Sequence, residues 1–393
     1  MQKKLWGSLA LLSTAAFADF STQEFLYKEA RVMGMGAANV AVGGYASSVF
    51  YNPAGLINIK SKGLQIDLFG LNVGGSKKFQ DFADDIKDTD TDEEVTQVAK
   101  KYSGKAFNVT MSDYTAVSYR MDNGIVWSVG IVAGADVNFI PHANGGINGV
   151  VETHSRAYGG VVISAAKHIE AWDEVLRGKL TVGASVKYIT QKSYEAGLDA
   201  GEISKHNDDL EDYLKDTYEV SDSGVALDIG VLYEPEIWEK WHPVFGLSIQ
   251  NLGNLDFEAY GEQPIMVNAG VALSPKVPHI DHVTIALDYI DLFNAQQARL
   301  AVTDSANKTV YTNEDIDFDI AQHIRLGLSA DVIDTDWFTV TPSIGLYQGA
   351  VTGGLALRGS VATLTFATYQ EESGAKTGQL DDRRYMVSLN IGW

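Results

Sequence analysis

Hydrophobic and polar residues alternate one by one along much of this chain. In Lys179–Thr190 and Gly224–Tyr233 an aliphatic or aromatic residue occupies every second position. Period two is typical of a β-strand whose two faces meet different surroundings. The pattern predicts 14 strands, although 12 or 16 remain possible because the twelfth is short. In chain order they are Gly63–Val73, Phe107–Met121, Ile125–Ile140, His154–Lys167, Lys179–Thr190, Gly224–Tyr233, Val244–Asn251, Ile265–Leu273, Val283–Ile290, Ile320–Ala330, Phe338–Tyr347, Gly354–Arg358, Leu364–Tyr369 and Arg384–Trp393.

The connections between these strands differ in length in a regular way. Those after odd-numbered strands are mostly long and polar, whereas those after even-numbered strands are mostly short. One short connection, Asp122-Asn123-Gly124, is a strong hairpin signal because its central positions need positive φ. Outer-membrane barrels show this asymmetry and an even strand number, and a soluble sandwich has no reason to follow it. We therefore predict an all-β chain that forms a 14-stranded antiparallel transmembrane β-barrel.

The two ends of the chain agree with export to an outer membrane. Residues 1–18 combine Lys3 and Lys4, an apolar run and Ala16-Phe17-Ala18, which is typical of a signal peptide removed before Asp19. The last strand carries apolar residues on one face and ends on Trp393. It resembles the C-terminal recognition strand of bacterial outer-membrane barrels, which implies the barrel-assembly machinery as a partner; a half-buried strand of a soluble protein is the alternative. The predicted division is a signal peptide at 1–18, a hatch inside the lumen at 19–60 and a barrel at 61–393, in a Gram-negative outer membrane.

Composition narrows the classes of function. The formal charge is −21, and −23 once Lys3 and Lys4 are removed, which argues against a nucleic-acid partner because phosphate binding needs clustered cations. The 38 glycines, 18 tyrosines and 7 tryptophans suit many turns and interfacial aromatic residues. The chain has no cysteine and no common hydrolase, metalloprotease or phosphate-loop motif, so we predict no enzyme, metal site or cofactor. The acidic stretches 84–94 and 208–212 could bridge cations to lipopolysaccharide or simply be solvated.

Ionisable residues of the predicted strands lie opposite the apolar face. They are Arg120, Lys187, Asp228, Asp288, Arg325, Arg358 and Arg384. Because Arg or Lys facing lipid costs about 2–4 kcal/mol, we predict that these residues face the lumen. Most of them are cationic, so one hypothesis is a positive lumen that holds an anionic head group, with Arg120, Lys187, Arg325 and Arg358 as ligand-binding candidates. The alternative is that these cations pair with carboxylates of the N-terminal segment, such as Glu24 and Glu29.

The stretch before the first strand is rich in small residues and has neither a strand's period nor a helix's length. It contains Arg31 to Ala38, with Gly34 and Gly36, and Ser47 to Leu56, with Asn52-Pro53-Ala54. Both parts resemble the N-terminal region of the FadL-type outer-membrane transport superfamily, which has TraF-like and PorV-like branches. Segments 226–233 and 245–253 also resemble strands of those two branches. The chain departs from the family at Gly43-Gly44-Tyr45, where members often carry an acidic residue.

The resemblance implies a mechanism. The N-terminal segment would plug the lumen as a hatch, and the residues it assigns to gating are Arg31, Gly34, Gly36, Asn52, Pro53 and Ala54. Ligands would leave sideways beside a kinked third strand, for which Gly130 and Gly134 are candidates. The implied function is passive uptake of hydrophobic small molecules such as long-chain fatty acids or hydrocarbons. The rival prediction is a barrel that transports nothing and scaffolds conjugal-transfer or secretion machinery through an envelope protein partner.

Overall fold

The computed structural model describes residues 19–21, 24–59, 63–257, 259–278, 280–303, 305 and 309–393. The predicted signal peptide lies outside these residues. Fourteen antiparallel strands form a closed barrel, because each pairs with its neighbours in sequence and the last pairs with the first. The predicted fold class is thereby confirmed. The barrel strands are β1 (Leu64–Ser76), β2 (Phe107–Arg120), β3 (Val126–Pro141), β4 (Val151–His168), β5 (Gly178–Leu198), β6 (Val220–Pro235), β7 (Val244–Asn254), β8 (Met266–Leu273), β9 (Asp281–Tyr289), β10 (Ile324–Asp331), β11 (Thr339–Tyr347), β12 (Ala350–Arg358), β13 (Ala362–Glu372) and β14 (Asp381–Gly392).

Short helices and a small sheet are separate from the barrel wall; the helix Ala30–Gly34 and the 3-10 turns within 46–58 lie in the lumen, and the other helical elements lie in the connections between strands. The helices are α1 (Ala30–Gly34), α2 (Phe79–Lys87), α3 (Asp92–Tyr102), α4 (Asp173–Leu176), α5 (Ala200–Lys205), α6 (Leu210–Tyr218) and α7 (Ile320–His323), with 3-10 turns at Ala46–Phe50, Pro53–Asn58 and Glu170–Trp172. Asp19–Ser21, Gln297–Thr303 and Thr309–Asp315 form a separate three-stranded sheet, and Ile333–Asp334 pairs with β11. The predicted tenth strand thus starts too early, since Asp319 caps a helix before β10 by accepting from the Ala321 amide.

The two ends of the barrel differ as the connection lengths predicted. The long-loop end carries connections such as 77–106, 199–219 and 290–323, and the short-turn end carries connections such as 121–125 and 359–361. At the long-loop end, α2, α3, α5 and α6 pack on the outward face of the tallest strands through a cluster that includes Phe82, Val95, Tyr194 and Leu214. The acidic stretches therefore form a helical layer around the rim.

The outward face of the wall is apolar below this layer. Val129, Ile131 and Ile163 are about half exposed, whereas their neighbours Ser128, Val132 and Ser164 point inward and are buried. All six tryptophans in the described part of the chain lie at the short-turn end and are exposed: Trp127, Trp172, Trp238, Trp241, Trp337 and Trp393. An apolar band bordered by aromatic residues is typical of transmembrane barrels. Among the described residues, no helix is long and apolar enough to cross a membrane.

Candidate functional site: the segment inside the barrel

The stretch Glu24–Ile59, called the inner segment, is almost wholly buried; Tyr45 is its one exposed residue. It contacts the inward face of the wall all the way round, most extensively on β3 to β6 and β11 to β14. Glu24 lies near the long-loop end, beside Arg325, and Ile59 lies near the short-turn end, beside Arg120. The chain therefore runs through the lumen along the barrel axis before it enters β1.

Seven inward-facing glycines of the wall leave room for this segment, and we call them the glycine ring. A Cβ atom at each of them would overlap atoms of residues 34–54 or a side chain of the neighbouring strand beside the segment, which is Asp288 at Gly270 and Ser343 at Gly354. The ring consists of Gly183, Gly230, Gly246, Gly270, Gly327, Gly345 and Gly354, on β5 to β8 and β10 to β12. Because a wall without side chains lets two backbones meet closely, the ring fixes the path of the segment's main chain.

The Asn-Pro-Ala motif docks on this ring. Asn52 caps the 3-10 turn Pro53–Asn58 by accepting from the Ala54 amide at 3.0 Å. Its amide group donates to Val40 O at 2.8 Å and to two wall carbonyls, Val231 O at 3.1 Å and Leu247 O at 3.4 Å. Asn52 is 1% exposed, so no water competes for these bonds. The predicted gating residues Asn52, Pro53 and Ala54 thus attach the segment to β6 and β7.

The other predicted gating residues lie on a second turn of the segment. Gly36 has φ +66°, a conformation that favours glycine. A Cβ atom at this position would overlap backbone atoms of Leu326 on β10 and Leu346 on β11. Gly34 touches Gly354 of β12. Arg31 pairs with Glu29 at 3.0 Å and stacks on the Tyr45 ring. These three residues shape and anchor the middle of the inner segment.

Most of the predicted lumenal cations bind the protein itself. Arg325 is fully buried and pairs with Glu24 at 2.7 Å, as the alternative prediction had it. Arg120 donates to the carbonyls of Ile57 and Ile59, at 2.7 and 2.8 Å. Lys187 contacts Asp228 at 2.9 Å. An anionic head group would have to displace these partners, so the arrangement favours internal pairing over a positive lumen.

Arg358 lies elsewhere. Its side chain is 48% exposed at the short-turn end, where it donates to Thr339 Oγ1 at 3.0 Å. The strand period correctly gave its inward direction, but β12 ends at this residue. Arg358 therefore belongs to the rim rather than to a binding site in the lumen.

Several residues that hold the inner segment were not singled out for it from the sequence. Asp288 of β9 accepts from the backbone amides of Asn39 and Val40, at 2.6 and 2.8 Å. Lys28 pairs with Glu371 of β13 at 2.6 Å. Tyr51 donates to Tyr27 O at 3.1 Å, and burial raises the pKa of its hydroxyl well above the usual range, so it stays a neutral donor. An acidic residue facing inward was the available signal for Asp288, but its partners are backbone groups without a sequence signature.

A small polar cavity lies beside the start of the inner segment, where Phe25, Leu26 and Lys28 line it. Its volume is about 50 Å³, and its walls include Lys28, Asp136, Arg156, Glu371 and Arg384. Cations and carboxylates alternate in it, since Arg156 pairs with Asp136 at 2.5 Å and Arg384 contacts Glu371 at 3.5 Å. An engineered apolar cavity of about 150 Å³ holds benzene in another protein, so this cavity is too small and too polar for a hydrocarbon. The structure represents a closed state.

The third strand is continuous, so the predicted opening beside it is absent in this structure. Every residue of β3 from Val126 to Pro141 pairs with β4, without a register shift, and all of β2 pairs with β3. Gly130 and Gly134 instead make room for the rings of Tyr114 and Tyr158, which a Cβ atom would overlap. Glycine permits a kink, but here cross-strand rings fill the space that it leaves.

The longest internal interruption between paired barrel strands in the described part lies between β1 and β2. Residues 68–71 of β1 have no paired residue in β2. The outward-facing Asp113 fills the break by accepting from the Gly70 amide at 3.0 Å. From the lumen, Tyr27 of the inner segment donates to Gly70 O at 2.6 Å. A second outward-facing side chain, Thr115, donates to Leu68 O at 2.5 Å, so side chains from both faces close the wall here.

Comparison with solved structures identifies the class of protein that this fold defines. The Ralstonia pickettii toluene transporter TbuX aligns with a TM-score of 0.54 at 15% identity, covering 93% of this chain and 97% of that one. The Pseudomonas putida toluene transporter TodX aligns with a TM-score of 0.53 at 11% identity, covering 94% and 99%. These likenesses establish a shared fold, the FadL-type barrel that the N-terminal motifs predicted.

The sequence itself assigns the family. Residues 132–344, more than half of the chain, match the family described as "F plasmid transfer operon, TraF, protein". The chain belongs to this family, which confirms the predicted TraF-like branch. A comparison with curated protein sequences gives no significant match.

Proposed function

We propose that this protein is an outer-membrane channel for the passive uptake of hydrophobic small molecules, with the inner segment as its hatch. The observation that carries the proposal is a closed barrel whose lumen is filled by a segment held through hydrogen bonds and ion pairs, on the fold that the toluene transporters TbuX and TodX share. Transport channels as neighbours also favour a protein without catalytic activity. The range of ligands extends from hydrocarbons to long-chain fatty acids.

An outer-membrane location is supported by the outside of the barrel. The apolar band and the exposed tryptophans suit lipid and its interface. The long-loop end would face the cell exterior, where its acidic helical layer meets lipopolysaccharide, and the short-turn end would face the periplasm. Trp393 would serve the barrel-assembly machinery during insertion.

Passage requires the inner segment to rearrange. The polar cavity is too small for a benzene-sized ligand, and the glycine ring holds the lower part of the segment across the lumen. Tyr27 borders the interruption between β1 and β2, so its release would open the lumen towards the wall at Gly70. We place the sideways exit of the ligand at this seam instead of at Gly130 and Gly134.

Uptake into liposomes tests the function. Purified protein in liposomes should speed the entry of labelled toluene or fatty acid relative to empty liposomes, and deletion of 19–59 should change that rate. Asp113→Leu, which removes the hydrogen bond from the Gly70 amide on the outer side of the seam, should raise the rate, whereas Asp122→Leu in an exposed turn at the short-turn end should leave it unchanged. Entry no faster than in empty liposomes, for every ligand tried, would refute transport.

The family match supports a second candidate, a barrel that scaffolds conjugal-transfer or secretion machinery. Such a barrel would need its hatch closed permanently and would bind an envelope protein at one rim. Purification after cross-linking in cells tests it. A stoichiometric protein partner, together with absence of uptake, would favour the scaffold over the channel.

A further inference from the structure

A two-stranded hairpin crosses the long-loop end of the barrel. Its strands, Gln297–Thr303 and Thr309–Asp315, pair with each other, and together they are called the lid hairpin. The hairpin belongs to the connection between β9 and β10, yet it also contacts two other connections of the rim, one of them on the far side. Thr309 donates to Ile147 O in the β3–β4 connection at 2.9 Å, and Asn313 donates to Glu262 in the β7–β8 connection. The hairpin therefore spans the mouth.

A buried chain of charged side chains fastens the lid hairpin to the wall. Arg299 of the hairpin binds Glu195 of β5 with two hydrogen bonds, one of them Nε to Oε1 at 2.8 Å. Glu195 lies 3.1 Å from His154 Nδ1, and His154 Nε2 lies 2.8 Å from Glu152. Glu152 also meets His142 Nε2 at 3.2 Å. The chain links the hairpin to β5, β4 and the β3–β4 connection.

Arg299 balances the charge of this buried row of side chains. Carboxylates only accept, so His154 must carry both ring protons to donate to Glu152 and Glu195 at once. Two cations then face two carboxylates, and all four side chains are less than 10% exposed. Removal of Arg299 deprives the buried Glu195 of its bidentate partner and leaves it with His154, which destabilises the closed position of the hairpin. The bidentate pair thus ties the hairpin to β5, and beside it the Tyr311 ring of the hairpin packs edge-on against the His154 ring, 4.9 Å between centroids.

The lid hairpin is also joined to the inner segment. The strand Asp19–Ser21 adds to its free edge, with Asp19 opposite Arg299 and Ser21 opposite Ala298. The inner segment begins three residues after Ser21, where Glu24 pairs with Arg325 inside the barrel. We propose that the lid hairpin and the start of the inner segment open as one unit, latched by the Arg299–Glu195 pair. This coupling goes beyond the proposed function, since it holds whether the barrel transports or scaffolds.

Cysteine labelling tests the coupling, because the chain has no cysteine. Two single-cysteine reporters are made: Ala298→Cys in the lid hairpin and Leu26→Cys in the inner segment, both at buried positions. Each is combined with Arg299→Met, and the rate of maleimide labelling is measured on the folded full-length protein. The control is Lys192→Met, which removes the exposed Lys192–Glu219 pair from the outward face of β5, the strand that carries Glu195.

Arg299→Met should raise the labelling rate of both reporters about tenfold or more, because local opening exposes them together. Lys192→Met should leave both rates unchanged. If Arg299→Met raises the labelling rate of the Ala298→Cys reporter but not of the Leu26→Cys reporter, or raises neither rate, the coupling is wrong. Glu195→Gln, which keeps the side-chain volume, provides the same test if Arg299→Met fails to assemble; assembly is checked by the gel migration of the unheated barrel.

Discussion

Replacement of Asn52 by alanine tests whether the Asn-Pro-Ala motif attaches the inner segment to the wall. The substitution removes an amide group shared among three buried carbonyls and the oxygen that caps the following turn. The group has two protons, so two full hydrogen bonds and one capping bond are lost. At about 0.5–1.5 kcal/mol for each of the three, the free energy of unfolding should fall by about 1.5–4.5 kcal/mol.

The measurement is reversible urea unfolding of the protein in detergent micelles, followed by tryptophan fluorescence. All six described tryptophans lie at the short-turn end, close to where the inner segment leaves the lumen. The urea midpoint should fall while the slope of the transition is kept, since the surface exposed on unfolding hardly changes.

Asn58→Ala is the matched control. Within the described part of the chain, Asn58 donates to Val42 O at 3.2 Å, so this bond stays within the inner segment. Its loss should cost about 1 kcal/mol. If Asn52→Ala costs no more than Asn58→Ala, the bonds to Val231 and Leu247 contribute nothing, and the motif does not attach the segment to the wall.

Three further predictions concern the glycine ring, the Arg325–Glu24 pair and the exposed tryptophans. Gly230→Ala places a methyl group on Asn52 and should destabilise the barrel by about 1–3 kcal/mol, whereas Gly159→Ala meets only ordinary contact space and should change stability by less than about 0.5 kcal/mol; equal urea midpoints would contradict the glycine ring. Arg325→Met leaves the buried Glu24 carboxylate without its cationic partner and should lower the free energy of unfolding by about 3–5 kcal/mol. The double variant with Glu24→Gln should recover part of that cost, and strictly additive costs in a double-mutant cycle would disprove the coupling. In vesicles of lipids brominated at different depths, bromine near the head groups should quench the tryptophan fluorescence more than bromine near the bilayer centre; equal quenching would contradict their interfacial position.

Strand positions were predictable because the wall separates two environments. Alternation in Lys179–Thr190 reports that separation directly. Beyond it, Tyr194 and Ala196 face outward but are covered by the helical layer, so the continuation of β5 to Leu198 lies between two protein surfaces and carries a weaker pattern. A local pattern cannot report a surface that another part of the chain provides.

The candidate site was predictable in direction but not in partners. The strand period correctly turned Arg325 and Arg120 inward, and the pairing of Arg325 with Glu24 was among the alternatives. The opening at Gly130 and Gly134 stays a prediction; in this structure both glycines make room for cross-strand rings, since glycine in a strand signals only that space is needed there. Whether a kink or the Tyr114 ring uses that space depends on the neighbouring strand.

The glycine ring has a consequence for how the barrel could be re-engineered. Its contacts are made largely with backbone atoms such as Val40 O, Ala54 N and Gly36 N, so the wall recognises the course of a peptide rather than the identity of its side chains. A grafted stopper would therefore have to reproduce the turns at Gly36 and Asn52, while many residues between them could be exchanged. The space left by these seven glycines therefore determines which backbone path a segment in the lumen can follow.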